Sequence, residues 1–160
     1  MHIMVTLIIA IVLGAAINIS MLNHIPVSAL IQYKRTQAAE KGFDSIELSV
    51  KSYLNFNRDS DGIPRYPGNG VNINDQIFPQ YGFMPSEKFG MVWSVKADEY
   101  IGMPSIGICL GAPKDFDQGM SSISANFPQM SVTRGSRCNA QSYSSSGVFL
   151  TYWIVIDHMN

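Results

Sequence analysis

Charge is missing from the start of this chain: residues 1–33 contain no Asp, Glu, Lys or Arg. All 11 Lys and Arg and all 12 Asp and Glu follow, and the formal net charge is −1. That balance gives no electrostatic case for nucleic acid or for an anionic membrane surface as partner. Charged residues are 14% of the chain, against about 25% in ordinary soluble proteins. Histidine is scarce: His2, His24 and His158 sit towards the ends, and none adjoins a Ser or Cys in a recognisable nucleophile motif. Cysteine is scarcer still, with Cys109 and Cys138 alone, so no Cys–His cluster has metal-ligand spacing. Nor is there a glycine-rich phosphate loop; Gly68-x-Gly70 is a turn in a Pro-rich stretch. These absences argue against an enzyme and against a resident cofactor.

What the uncharged start does contain is an apolar run at residues 3–22, IMVTLIIAIVLGAAINISML. A bilayer core takes about 20 apolar residues as a helix. A secretory signal peptide is the competing assignment, but it wants a basic n-region and a small-residue cleavage site. The n-region here is Met1-His2, and no A-x-A site closes the run. A retained membrane helix is therefore expected. Lys34, Arg35 and Lys41 follow it, which by the positive-inside rule places the domain in the cytoplasm. Those bases are interleaved with Glu40 and Asp44, which dilutes the signal, and the topology is contested. The remainder suffices for one compact domain. The expected partition is residues 1–33 as a hydrophobic half-helix and residues 34–160 as a globular domain that includes an amphipathic half.

The helical pattern continues beyond the apolar run. Ala39, Phe43, Ile46, Val50 and Tyr53 recur at spacings of three and four, one face of an amphipathic helix. Pro26 is expected to kink the helix or to hinge two separate ones. Residues 58–70, RDSDGIPRYPGNG, read as loop. Strands are expected at residues 91–97, 105–110, 130–133 and, most strongly, 147–157. Helix first and strands afterwards reads as α+β: a long kinked N-terminal hydrophobic helix packed on a small antiparallel sheet. Trp93, Val95, Phe149, Ile154 and Ile156 are core candidates. Residues 111–146 read as a long loop, with nine Ser between Ser121 and Ser146. A surface so poor in charge suits packing beside copies of itself, or simply an extracytoplasmic location.

Cys109 and Cys138 admit two readings. In an oxidising compartment a disulfide closing about 30 residues would contribute roughly 3–4 kcal/mol; in the cytosol they would be two buried thiols. Their neighbours, Gly107-Ile108 and Arg137 with Asn139, are not a core stripe, which favours pairing. Residues 57–62, NRDSDG, match the first half of a calcium loop, with Asp59 and Asp61 as ligand candidates. The twelfth position is Gly68 in place of a bidentate Glu, and Asx-turn chemistry ending the helix is the stronger reading.

Three features together resemble the type IV pilin and type II secretion pseudopilin superfamily. Val5-Thr6-Leu7-Ile8 is similar to the start of a processed pilin, and Pro26 then falls where pilins carry a helix-kinking proline. Tyr53, Asp59, Asp61-Gly62 and Tyr66-Pro67 resemble the stretch where the pilin helix gives way to its connecting loop. Cys109 and Cys138 resemble the pair bounding the C-terminal disulfide loop, with a strand near the end. Two departures stand out. The family's peptidase cuts after Gly, where this chain has Met4. The fifth mature residue is usually Glu, thought to pair with a neighbour's amine; here that position is Ile9. A buried unpaired amine is costly, so the resemblance implies a minor subunit at a filament tip over the major building block. Some pseudopilins bind calcium in a C-terminal loop, where Asp115 and Asp117 would be the candidates.

The resemblance implies a pilin-like fold and a structural role in a type IV pilus or secretion pseudopilus. It also implies other subunits and the bacterial inner membrane as partners, and a periplasmic domain that later joins a surface filament. The rival is a monomeric, membrane-anchored periplasmic ligand-binding domain, for which a deep pocket with convergent polar groups would speak.

Overall fold

The computed structural model describes residues 11–12, 26–128, 132–135 and 147–156. The chain forms two compact units, residues 1–34 and 35–160. Within the first, Ile11 and Val12 are helical; the rest of the apolar run, and with it Ile9, lies outside the described residues. Among the described residues no helix is long and apolar enough to cross a membrane.

Helix α1 (Val27–Phe56) starts directly after Pro26, whose carbonyl accepts the amides of Ala29 at 2.8 Å and Leu30 at 3.3 Å. Proline suits this place because the first turn's N–H groups have no intrahelical acceptor to lose. A kink against the preceding residues falls outside the described part of the chain. Further along, Ala39, Gly42, Phe43, Ile46, Ser49, Val50, Tyr53 and Leu54 are buried. This is the three-and-four spacing of the sequence made into one packed face. Asn57 ends the helix: its side-chain amide donates to the Tyr53 carbonyl at 3.0 Å and to the Tyr81 hydroxyl at 3.1 Å.

That face lies on a five-stranded antiparallel sheet in the order β1-β2-β3-β5-β4. The strands are β1 (Val71–Asn72), β2 (Val92–Tyr100), β3 (Met103–Pro113), β4 (Val132–Arg134) and β5 (Gly147–Val155). The fold is therefore α+β, a helix on an antiparallel sheet. Register places Trp93, Leu110 and Leu150 in one cross-strand row and Ala97, Ile106 and Ile154 in another. These rows form the helix-side core with Phe43, whose ring meets Trp93 edge-on at 5.0 Å. A Cβ at Gly42 would run into the Trp93 indole, so helix and strand approach closely only because that residue is glycine.

Two connections were not legible as structure. Between β1 and β2, the short helix α2 (Asn74–Ile77) buries Ile73 and Ile77. It is pinned by the Val95 amide, which donates to Asn74 Oδ1 at 2.7 Å. The long loop expected at residues 111–146 is corrected in its first half. Strand β3 runs on to Pro113, a 3-10 turn covers Lys114–Phe116, and helix α3 (Asp117–Ala125) follows. Phe116, Met120 and Ile123, at spacings of four and three, are fully buried. Their apolar stripe outweighs the Ser density that had suggested a loop. Strand β4 begins at Val132; Met130 and most of the Ser-rich segment lie outside the described residues.

Of the core candidates, Trp93 and Val95 are buried in the helix-side core, with Ile154 and Ile156 packed at its margin. Phe149 is corrected. Strand alternation puts it on the sheet's other face, and it is only half-buried.

Candidate functional site

Three of the four carboxylates considered for calcium, those of Asp59, Asp115 and Asp117, have other work, while Asp61 enters a turn through its backbone amide. Asp59 Oδ1 accepts the amides of Asp61 and Ile63, both at 2.9 Å, and so closes an Asx turn at the end of α1. Arg58 braces that turn through the Gly62 carbonyl at 2.6 Å and Asn55 Oδ1 at 3.0 Å. Asp115 pairs with Arg35 of α1 at 2.7 Å. Asp117, at the start of α3, pairs with Arg134 of β4, whose other guanidinium nitrogen donates to Ser121 Oγ at 2.9 Å. Asp115 and Asp117 thus serve different arginines and tie α1 and β4 to the segment around α3. Among the described residues no three His, Cys, Asp or Glu side chains stand close enough to hold a metal ion.

Cys109 is fully buried, disulfide-bonded, and placed in the middle of the central strand β3. It faces away from α1, in the row of Ser94 and Thr151. Cys138 lies outside the described residues, as do His2, His24 and His158. The same outer face carries Trp153, stacked on Tyr100 at 5.0 Å and 4° between planes. Its indole N–H donates to Thr133 Oγ1 at 2.9 Å, and Lys96 Nζ stands 5.9 Å from the ring. Gly107 lies directly beneath; a Cβ there would come within 2.7 Å of the ring.

Exposed apolar side chains mark the surfaces available to partners. In the first unit Val27, Leu30, Ile31 and Tyr33 are exposed, Val27 at 73%. The remainder of α1 turns mainly polar groups to solvent (Lys41, Asp44, Ser45, Lys51, Asn55), with Leu48 and Phe56 as the apolar exceptions. The β2–β3 hairpin tip exposes Ile101, held at φ 54° beside Gly102 at φ 74°. Positive φ at both central residues matches the right-handed twist of the strands, though isoleucine is a rare occupant.

Alongside α1 runs a flank of acids. Glu47 is paired with Lys51 at 2.6 Å and receives the Tyr152 hydroxyl at 3.4 Å. Burial, and then the Glu47 charge, hold the Tyr152 phenol above its ordinary range. One to two turns earlier, Glu40 and Asp44 form one wall of a half-open cleft of about 320 Å³, and Ile123, Asn126 and Phe127 form the other. The Asn126 amide donates to Glu40 Oε1 at 3.0 Å. Phe127 stacks on Tyr152 at 4.6 Å and meets Phe43 edge-on at 5.3 Å. Sequence reading missed this cleft because one wall depends on α3. The signal that could have found it is the Phe116–Met120–Ile123 stripe just before Asn126.

Comparison with protein-family models, with curated proteins and with solved structures finds no match for this chain.

Proposed function

We propose that the chain is a minor structural subunit of a type IV pilus or type II secretion pseudopilus. On this reading it is anchored in the bacterial inner membrane before assembly, with its domain in the periplasm. One observation carries it: a single helix, α1, that exposes Val27, Leu30, Ile31 and Tyr33 at its start and buries an apolar stripe against an antiparallel sheet further along. Apolar side chains on the opening turns of a helix favour lipid or other helices over water. The apolar run at residues 3–22 extends the same chemistry towards the N-terminus. The sequence matches around Val5, Pro26 and Tyr66-Pro67 supply the family. Ile9, where the family has Glu, supplies the minor role. The Cys109 disulfide supports an oxidising compartment over the cytoplasmic topology suggested by Lys34, Arg35 and Lys41. Its pairing with Cys138 belongs to the proposal.

The rival reading of a ligand-binding domain wants a deep site with several converging polar groups. The Glu40–Asp44 cleft is half-open, and two carboxylates and one amide make up its polar lining among the described residues. Gene deletion with imaging of surface filaments decides the matter. The expected outcome is fewer or no filaments, or lost secretion, restored by the full-length gene. Unchanged assembly, adhesion and secretion would overturn the proposal.

A further inference from the structure

We propose that Asn69-Gly70 is a site of spontaneous deamidation that the fold holds latched, and that the modification releases strand β1. It is the chain's single Asn-Gly pair. The chemistry needs no reactant but water. The Gly70 backbone nitrogen gives up its proton and attacks Asn69 Cγ. The Cγ–Nδ2 bond breaks, ammonia leaves, and a cyclic succinimide remains. Water then opens the ring at either carbonyl, leaving aspartate or isoaspartate at position 69. Glycine suits the attacking position because no Cβ shields its nitrogen, and the space around Gly70 is open.

The surroundings both prime this reaction and restrain it. The Tyr66 hydroxyl donates to Asn69 Oδ1, which draws electrons from Cγ and stabilises the oxyanion that the attack creates. Asn69 is exposed, so water reaches it, and its Nδ2 donates to Glu99 Oε2 at 3.4 Å. The restraint is on the nucleophile. The Gly70 amide, on a backbone at φ 76°, donates to the Ala97 carbonyl at 2.8 Å, which aims the N–H across to β2 and keeps its proton engaged. Attack therefore waits for that bond to open. Strand β1 has two residues and lies at the sheet edge, so a local opening suffices and the core stays folded.

The product cannot return to the same arrangement. Either outcome puts a carboxylate, ionised at neutral pH, where Glu99 had accepted an amide, with Asp98 next along β2. Like charges at that spacing repel. Isoaspartate also routes the main chain through the former side chain, adding a methylene between positions 69 and 70. That shift takes the Gly70 amide away from Ala97 and breaks the pairing of Val71 with Ala97. Loss of ammonia makes the change one-way. Strands β2, β3, β5 and β4 pair without β1 and stay in place.

The experiment incubates the full chain in detergent micelles, in mildly alkaline oxygen-18 water, beside a sample unfolded in urea. Peptide mass spectrometry then reads position 69. Aspartate and isoaspartate, each carrying a single oxygen-18 atom, are expected in both samples, forming about tenfold or more slowly in the folded chain. Val71→Gly, which weakens β1 without touching the reacting atoms, should speed the folded sample severalfold and leave the urea sample unchanged. Hydrogen exchange on the isolated isoaspartate form should show the Gly70 amide unprotected and the β2–β3 amides still protected. No product in urea would overturn the site. Equal rates folded and unfolded, or a folded rate indifferent to Val71→Gly, would overturn the latch. A Gly70 amide still protected in the isoaspartate form would overturn the release of β1. Since no arm reads filament formation, failure here is separable from failure of the assembly proposal.

Discussion

Gly107 shows how one missing side chain organises a whole face. In the centre of β3 a Cβ would meet Trp153 at 2.7 Å and Thr151 Cγ2 at 3.0 Å. With glycine there, the indole lies flat over the strand, stacks on Tyr100 and reaches Thr133. Gly107→Ala should therefore cost about 1–3 kcal/mol by overpacking, because the ring must lift from both partners. Chemical denaturation with tryptophan fluorescence checks this; a neutral result would mean that the stack is loose. Little of this was legible in the sequence. A glycine between Ile106 and Ile108 reads only as a weak spot in a strand, because its use depends on a tryptophan 46 positions later in the chain. Asp59 was more readable, since an Asx turn is made by its own neighbours. Asp115 and Asp117 were not, because the arginines that occupy them come from α1 and β4.

Among the elements, α3 decides most for the candidate cleft, and it was the one read wrongly. Its stripe of Phe116, Met120 and Ile123 is fully buried against the core. Three serines between Ser121 and Ser124, with more beyond the helix, gave the segment a loop's composition; Ser121, Ser122 and Ser124 lie on the more open side of the helix. Periodicity was the better guide than composition, as it was for α1. Met120→Ala should cost about 2–4 kcal/mol, through lost burial plus the cavity left behind, whereas exposed Ser122→Ala should stay within about 0.5 kcal/mol. Thermal denaturation of the two variants separates these outcomes, and equal effects would mean that α3 is not part of the cooperative core. Strand β5 was legible because its apolar residues continue on both faces, and β2 because Trp93, Val95 and Ala97 alternate with Ser94, Lys96 and Asp98. Helix α2 was not, since four residues hold too little period to read.

For the domain as a whole, the distribution of tyrosines fixes a pH dependence whose sign can be worked out. Burial raises the Tyr53 phenol first, with Tyr81 adding to it; burial raises Tyr66 first, with Asp98 and Glu99 adding. Burial and then Glu47 raise Tyr152. Lys51 is raised chiefly by its hydrogen bond to Glu47. An unperturbed phenol titrates near 10 and a lysine near 10.4. All four groups thus hold their protons more tightly folded than unfolded. By linkage their contribution is complete below the unfolded values and is lost as pH climbs through the folded ones. Stability should stay level on this account between about pH 7 and 9 and fall above about pH 10. Tyr152→Phe should make that fall shallower, because phenylalanine keeps the contact with Phe127 and has no proton to release. Urea midpoints measured across the alkaline range give the test. A midpoint unchanged through pH 11, or a Tyr152→Phe variant that falls as steeply as the parent, would show that these phenols are not protected by the fold.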